Sequence, residues 1–270
     1  MDDLVFLKLG GSLITDKESH QTENAASIQR LATEIAAALT AKPDMKLLIG
    51  HGAGSFGHIE ARNYGTRTGV ESAAAWAGFA EVAAVVGKLN RIVLEALRGA
   101  GISAMAFQPS ASASARNTRI EAMALTPIRE ALHHGLVPVV HGDVSFDAAH
   151  GGTIISTEDI FSYLATHLQP ERILLAGIEA GVLTVHPAGE LIAEITTQSW
   201  DGIRERVRGS AAPDVTGGME SKVAEMLVLC VPGRTIRIFA GTTAGLVQET
   251  LTGRAAPGTL LRSTLDWPSQ

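Results

Sequence analysis

Two glycine-lined turns and three lysines are the residues in this chain most able to do chemistry. The first turn is Lys8-Leu9-Gly10-Gly11-Ser12, followed at once by Thr15-Asp16-Lys17. The second is the stretch HGAGSFGH, running from His51 to His58. A third glycine pair, Gly217-Gly218, opens a helical pattern with Lys222 one turn inside it. Glycines let backbone N–H groups approach an anion, and a helix start adds free amides and the positive end of the dipole. Lysines beside such turns neutralise oxygen charge, each charged hydrogen bond contributing about 1.5–3 kcal/mol. The natural cargo of such a set is a phosphate or polyphosphate.

Each side chain has its expected part. Lys8 and Lys17 flank the first turn, and Lys222 reaches nucleotide phosphates. His58 stands just past the last glycine of the second turn, where an imidazole meets a ligand lying on the loop, whereas His51 directly follows a strand and helps fix the turn. Asp159, in Ser156-Thr157-Glu158-Asp159, is expected to orient lysines that otherwise repel one another. Asp143, in His141-Gly142-Asp143, fits turn chemistry as well as function.

Two common nucleotide motifs are excluded. Although GAGSFG matches G-x-G-x-x-G, a dinucleotide site needs a second strand ending in an acid about 20 residues on. Glu71 sits near that distance, but the ARNYGTRTGV before it is polar and glycine-punctuated, not a strand. The turn at Lys8 is also not G-x-x-x-x-G-K-[ST], so the P-loop reading fails.

The elements that must hold these turns alternate along the chain. Apolar runs predict strands at Leu4–Leu9, Lys46–Ile49, Ile102–Phe107, Leu136–Val140, Ile173–Leu175 and Ile236–Phe239. Helical spacing runs from Ile28 to Leu39, and from Ser72 to Leu97 with Trp76, Phe79, Val82, Val86, Leu89 and Val93 as its stripe. Further helices are expected near Thr126–His134, Glu158–His167 and Gly218–Cys230, with Cys230 as an apolar filler. Between His141 and Thr157, alternation on both sides of Gly151-Gly152 predicts a hairpin laid over the sheet. The pattern predicts a mainly parallel sheet covered on both faces, with ligands at the carboxyl ends of its strands.

Composition sets the bounds. The chain has 270 residues, 46% hydrophobic and 19% charged, and no apolar run near the roughly 20 residues of a membrane span. A net charge of -6 argues against nucleic-acid binding, so any phosphate must be held locally. The acidic start MDDLVFLKLGG does not read as an export signal, and the single cysteine suits a reducing cytoplasm. No membrane or nucleic-acid partner is expected, and no composition shift marks a linker.

Taken in order, LKLGGSLITDK, HGAGSFGH, HGDVSFD, STED and TGGMESK resemble the amino acid kinase superfamily, and within it the isopentenyl phosphate kinases. The resemblance implies a three-layer α/β/α sandwich, usually dimeric, forming one domain over residues 1–270. Residues up to about 170 would hold the acceptor and those from about 171 the nucleotide. ATP would lie on Lys8, Gly10, Gly11, Ser12, Gly181, Gly217, Gly218 and Lys222, with Mg2+ on its phosphates. The acceptor would lie on Gly52, Ala53, Gly54, His58 and Gly142, with Val144, Phe146, Ile154, Trp76 and Phe79 as apolar walls for an isoprenoid tail. Catalysis would rest on Lys8, Lys17, His58, Asp159 and Lys222. Two departures stand out. Ala53 replaces a glycine common in relatives, and LAGIEAGV, Leu175 to Val182, lacks both aspartates of a turn that often reads TDVDGV. The alternatives are a fosfomycin-type kinase acting on a small phosphonate, or a nucleotide-binding regulator without catalysis.

Overall fold

A computed structural model of the chain describes residues 3–16, 19–185, 189–208 and 218–264, with the backbone alone at residues 58, 59, 206 and 208. The chain begins with β1 (Leu4–Leu9), the single-turn α1 (Gly11–Ile14), α2 (Ala25–Ala41), β2 (Lys46–His51), α3 (Gly54–Tyr64), a 3-10 turn (Thr66–Thr68) and the long α4 (Ala73–Gly99). It continues through β3 (Ala104–Ala106), α5 (Pro109–Ser112), β4 (Ala113–Arg116), β5 (Arg119–Met123), α6 (Thr126–His133), β6 (Val137–His141), β7 (Asp143–Asp147) and β8 (Gly151–Ile155). The remainder is α7 (Thr157–Leu168), β9 (Arg172–Gly177), β10 (Glu194–Thr196), α8 (Trp200–Arg208), α9 (Gly218–Leu227), β11 (Thr235–Ala240), α10 (Leu246–Thr252) and β12 (Thr259–Arg262).

Eight strands form one sheet in the order β10-β12-β11-β9-β1-β2-β6-β3, parallel throughout except where β11 meets β12. Strand β1 lies in the middle and is buried along its whole length. Because side chains alternate across a strand, its residues feed two different cores. Leu4 and Phe6 pack with Ile128 and Leu132 of α6, Ile160, Phe161 and Leu164 of α7, and Val223 and Met226 of α9. Val5, Leu7 and Leu9 pack on the other face with Ile28, Leu31 and Ile35 of α2, Leu89, Val93 and Leu97 of α4, and Val247 and Leu251 of α10. This is the expected three-layer α/β/α arrangement. The same alternation puts Lys8 on the face of Leu4 and Phe6, which is the side of α7.

The hairpin expected over the sheet is present as β7 and β8, paired from Asp143↔Ile155 to Asp147↔Gly151. It belongs to a second sheet, β5-β4-β7-β8, that the sequence reading did not contain. A small third core joins this sheet to the first half of α4 through Val144, Phe79, Val82, Val85 and Val86. Cys230 is buried as expected, but it lies past the end of α9 and not on the helix. Among the described residues no helix is long and apolar enough to cross a membrane.

Candidate active site

The carboxyl ends of β1, β2, β6 and β9 open into one cleft lined by both glycine turns, the start of α7, and residues of α9. The turns face each other at backbone contact. A Cβ added at Gly11 would sit 2.4 Å from the Gly54 nitrogen, and one at Gly52 would sit 2.8 Å from the Gly11 nitrogen. Only glycine fits there, and Gly54 also takes a left-handed φ of +51°. Thr15 locks the pair: its hydroxyl donates to the Gly11 carbonyl at 2.8 Å and accepts from Ser55 N–H at 3.1 Å. The second turn is also the beginning of α3, so its amides carry the anion-binding character of a helix N-terminus. The first turn is the beginning of α1 in the same way.

The charged end of the cleft is built on β1, α7 and α9. Lys8, 8% exposed, is ion-paired with Glu158, which is 7% exposed. Burial pushes the Glu158 carboxyl up, but the Lys8 and Lys222 ammoniums beside it, with the hydrogen bond from Lys8, outweigh this and hold it below the usual carboxylate range. Expectation had given this task to Asp159. That carboxylate instead closes a capping box, accepting from Ser156 N–H at 2.8 Å and Ser156 Oγ–H at 2.7 Å, while its own N–H donates to Ser156 Oγ at 3.0 Å. Neighbouring helical residues point about 100° apart, so of two adjacent acids one caps the helix and the other faces the lysines. The expected tetrapeptide is in place, with Glu158 and not Asp159 turned toward the lysines. Glu225 on α9 behaves oppositely to Glu158. Burial first, then the charges of Asp159 and Glu158, push its carboxyl up to about 7 against the pull of Lys8 and Arg67.

The other residues fall as follows. Gly10, Gly11, Ser12, Gly52, Ala53, Gly54, Gly142, Ile154 and Lys222 line the cleft with Lys8. Gly218 opens α9 directly before Met219, which does line it. Gly181 does not. It is packed into the protein, where an added Cβ would be 2.6 Å from Leu191 and 2.7 Å from the Thr259 hydroxyl, and Gly177, Ile178 and Glu179 reach the cleft from that turn instead. Lys17, Gly217 and the side chain of His58 lie outside the described residues; the backbone of His58 is on α3.

At its other end the cleft is apolar, and most of the expected walls are displaced. Ile154 is in place, joined by Ala61 of α3 and by Val82 and Val86 of α4. Val144 is wholly buried behind them. Trp76, Phe79 and Phe146 form their own aromatic cluster with centroids 5.2–5.8 Å apart, away from the cleft, and Phe146 is 56% exposed. Arg67, on the 3-10 turn, also lines the cleft, and no motif announced it. Val82 and Val86 carried a signal, four apart on a helical stripe, but a stripe does not tell cleft from core.

Comparison with known proteins gives the family. A model described as the amino acid kinase family matches residues 3–240. The isopentenyl phosphate kinase of Methanothermobacter thermautotrophicus is 36% identical over 267 residues, 95% of this chain and 98% of that one. That of Haloferax volcanii is 33% identical, covering 96% of this chain and 98% of the relative. A solved structure described as isopentenyl phosphate kinase superposes with a TM-score of 0.82 at 33% identity, over 96% of this chain and 99% of the other. The chain belongs to the amino acid kinase family.

Proposed function

We propose that this protein transfers the γ-phosphoryl group of ATP to isopentenyl phosphate, giving ADP and isopentenyl diphosphate. The observation that carries the reading is a single cleft with two facing glycine turns in the middle, ammonium groups at one end and a small apolar chamber at the other. That sequence of surfaces suits an acceptor with an anionic head and a short hydrocarbon tail. The relatives described above carry the same activity in their names.

In this reading a phosphate oxygen of the acceptor attacks the γ-phosphorus as the bond to the bridging β-γ oxygen breaks, and the electron pair leaves with ADP. A phosphate monoester, with a second pKa of about 6, is mostly dianionic at neutral pH, so no general base is needed. The protein supplies in-line placement of two repelling anions and stabilisation of charge spread over the transferring group. Lys8 and Lys222 face that group, with Glu158 paired to Lys8 and its carboxylate held ionised by both ammoniums. Lys17 and His58 are assigned to the transferring group and the acceptor phosphate on their motifs, and amides of the second turn, with Gly142, complete the acceptor site. Residues up to about 170 hold the acceptor and those after it most of the nucleotide. Among the described residues no three His, Cys, Asp or Glu side chains gather as a metal site; Mg2+ bound with ATP would supply neutralisation of phosphate charge, while Lys8 and Lys222 provide the protein's own cations.

The reading includes a cytoplasmic homodimer. The edge strand β3, with Met105 49% exposed, offers a second copy an open flank, which light scattering would test.

The deciding experiment is a coupled ADP-release assay with isopentenyl phosphate, fosfomycin, acetylglutamate and UMP at equal concentration. Release with isopentenyl phosphate well above the others is the expected result. Preference for fosfomycin would move the assignment to a phosphonate kinase, and release with none would favour a non-catalytic regulator.

A further inference from the structure

The acceptor turn works only if its N–H groups, not its carbonyl oxygens, face the incoming anion. Little in its covalent structure enforces this. Gly52 has no Cβ, so on that side the Gly52–Ala53 peptide meets less steric resistance to flipping than a peptide between two L-residues. A flipped carbonyl would present negative charge to a phosphate. What holds this peptide is a side chain behind it. His51, wholly buried, has Nδ1 3.1 Å from the Gly52 carbonyl oxygen and Nε2 3.0 Å from Oδ1 of the Asn90 side chain on α4, so both ring nitrogens face oxygens with the Asn90 amide set this way. In a trans peptide the C=O and the following N–H point in opposite directions. A Gly52 carbonyl drawn back to the imidazole therefore sends the Ala53 N–H toward the cleft that Ala53 lines. Among the described residues that N–H has no backbone acceptor.

Resting on the acceptor reading above, we propose that His51 is a positioning residue: as a neutral imidazole with its proton on Nδ1, it holds the Gly52 carbonyl out of the cleft and aims the Ala53 N–H at the acceptor phosphate.

The tautomer follows from what each partner can do. Burial pushes the His51 imidazole down in pKa, against the hydrogen bonds to Gly52 and Asn90, so the ring has one N–H to give. The Gly52 oxygen can only accept, which places the proton on Nδ1. Nε2 then carries a lone pair, and Asn90 must turn its NH2 toward it, a half-turn that swaps two nearly identical atoms. The ring is held from other sides too. Its own backbone carbonyl accepts from Gly142 N–H at 3.2 Å and from Thr157 Oγ–H at 2.7 Å. His141 stacks on it at 5.4 Å, and neither ring nitrogen of His141 has a hydrogen-bond partner among the described residues. Burial, the largest cause, pushes His141 down to about 3, so this neighbour is an uncharged plate that packs and does not compete.

The test uses two substitutions and one spectrum. His51→Leu keeps the bulk and removes the donor. It should lower kcat/KM for isopentenyl phosphate on the order of 10²-fold, mainly through KM, with KM for ATP unchanged within about two-fold. His51→Asn puts its Nδ2 where the imidazole Nδ1 was and should recover to within about five-fold of the parent. Long-range 1H–15N spectra of histidine-labelled protein, with the His51→Asn variant identifying the signal, should show Nδ1 protonated and Nε2 bare. A ring protonated on Nε2, an Asn variant no better than the Leu variant, or a Leu variant with parental acceptor KM would overturn the proposal. Should His51→Leu fail to fold, the Asn variant and the spectrum still decide. If the parent does not phosphorylate isopentenyl phosphate at all, the functional reading falls, while the tautomer still reports on the turn itself.

Discussion

The two ends of the cleft are built by opposite rules. At the charged end each group depends on a specific partner, and Lys8 and Glu158 are both almost fully buried and held against each other. At the apolar end Ala61, Val82, Val86 and Ile154 make a wall by volume alone. A paired charge in low dielectric is intolerant of losing its partner, because the remaining charge stays desolvated. An apolar wall is tolerant of chemistry and sensitive to size. The charged end should therefore control turnover and the apolar end acceptor affinity.

The strongest way to break this division is Lys8→Met. Loss of the ammonium should lower kcat on the order of 10³-fold, the upper range for removing one preorganised charge stabiliser. It should also cost about 3 kcal/mol of stability by leaving Glu158 without its hydrogen-bonded cation. The double variant Lys8→Met/Glu158→Gln separates the two effects: denaturant titration should show stability largely restored, whereas steady-state kinetics should show no recovered turnover. Recovery of turnover together with stability in the double variant would mean that Lys8 is only a structural counter-ion.

The apolar end is probed by Val86→Phe, which adds bulk to the wall that Val86 shares with Ala61, Val82 and Ile154. KM for isopentenyl phosphate should rise about ten-fold, with kcat and the KM for ATP near the parent, since a change in uniform binding leaves turnover alone. A matching fall in kcat would show that the tail wall also sets the attack geometry.

The same contrast explains what the sequence made legible. Strand β1 was readable residue for residue, because a six-residue apolar run stopped by two glycines has few alternatives. Lys8, Lys222 and the turns at Gly10-Gly11 and Gly52–Gly54 were readable as neighbours of one cleft, since residue type and spacing single them out. Helix α3 was hidden because GSFGHIEARNY contains poor helix formers and presents itself as a loop. The strands ASAR and RIEAM were missed because they are short and carry few large apolar residues to mark a strand. Choosing Glu158 over Asp159 required knowing which way α7 faces, and picking Val82 and Val86 from their stripe required knowing what lies opposite. Both are facts about neighbours distant in sequence.

The finest discrimination within the charged end is between its acids, because Glu158 is held below the usual range while Glu225 is pushed up to about 7. The sign of the stability effect differs accordingly. A carboxyl whose folded pKa lies above its ordinary value of 4.5 in the unfolded chain binds a proton more tightly when folded. Glu225 therefore favours folding at low pH and loses that contribution as pH rises from about 4.5 toward about 7. Glu225→Gln removes the titration while keeping the shape of the neutral form. Parent and variant should melt together at pH 4, and the variant should gain a small advantage that grows through pH 6 and levels off above pH 7. Glu158 contributes with the opposite slope, its stabilisation present above the unfolded pKa and lost as pH falls through the depressed folded value. Differential scanning fluorimetry of the Glu225→Gln pair across this window reads the difference directly. A constant offset at all pH values would mean that Glu225 does not titrate in this range, and the crowding of Asp159, Glu158 and Glu225 would then be relieved by the cations around them.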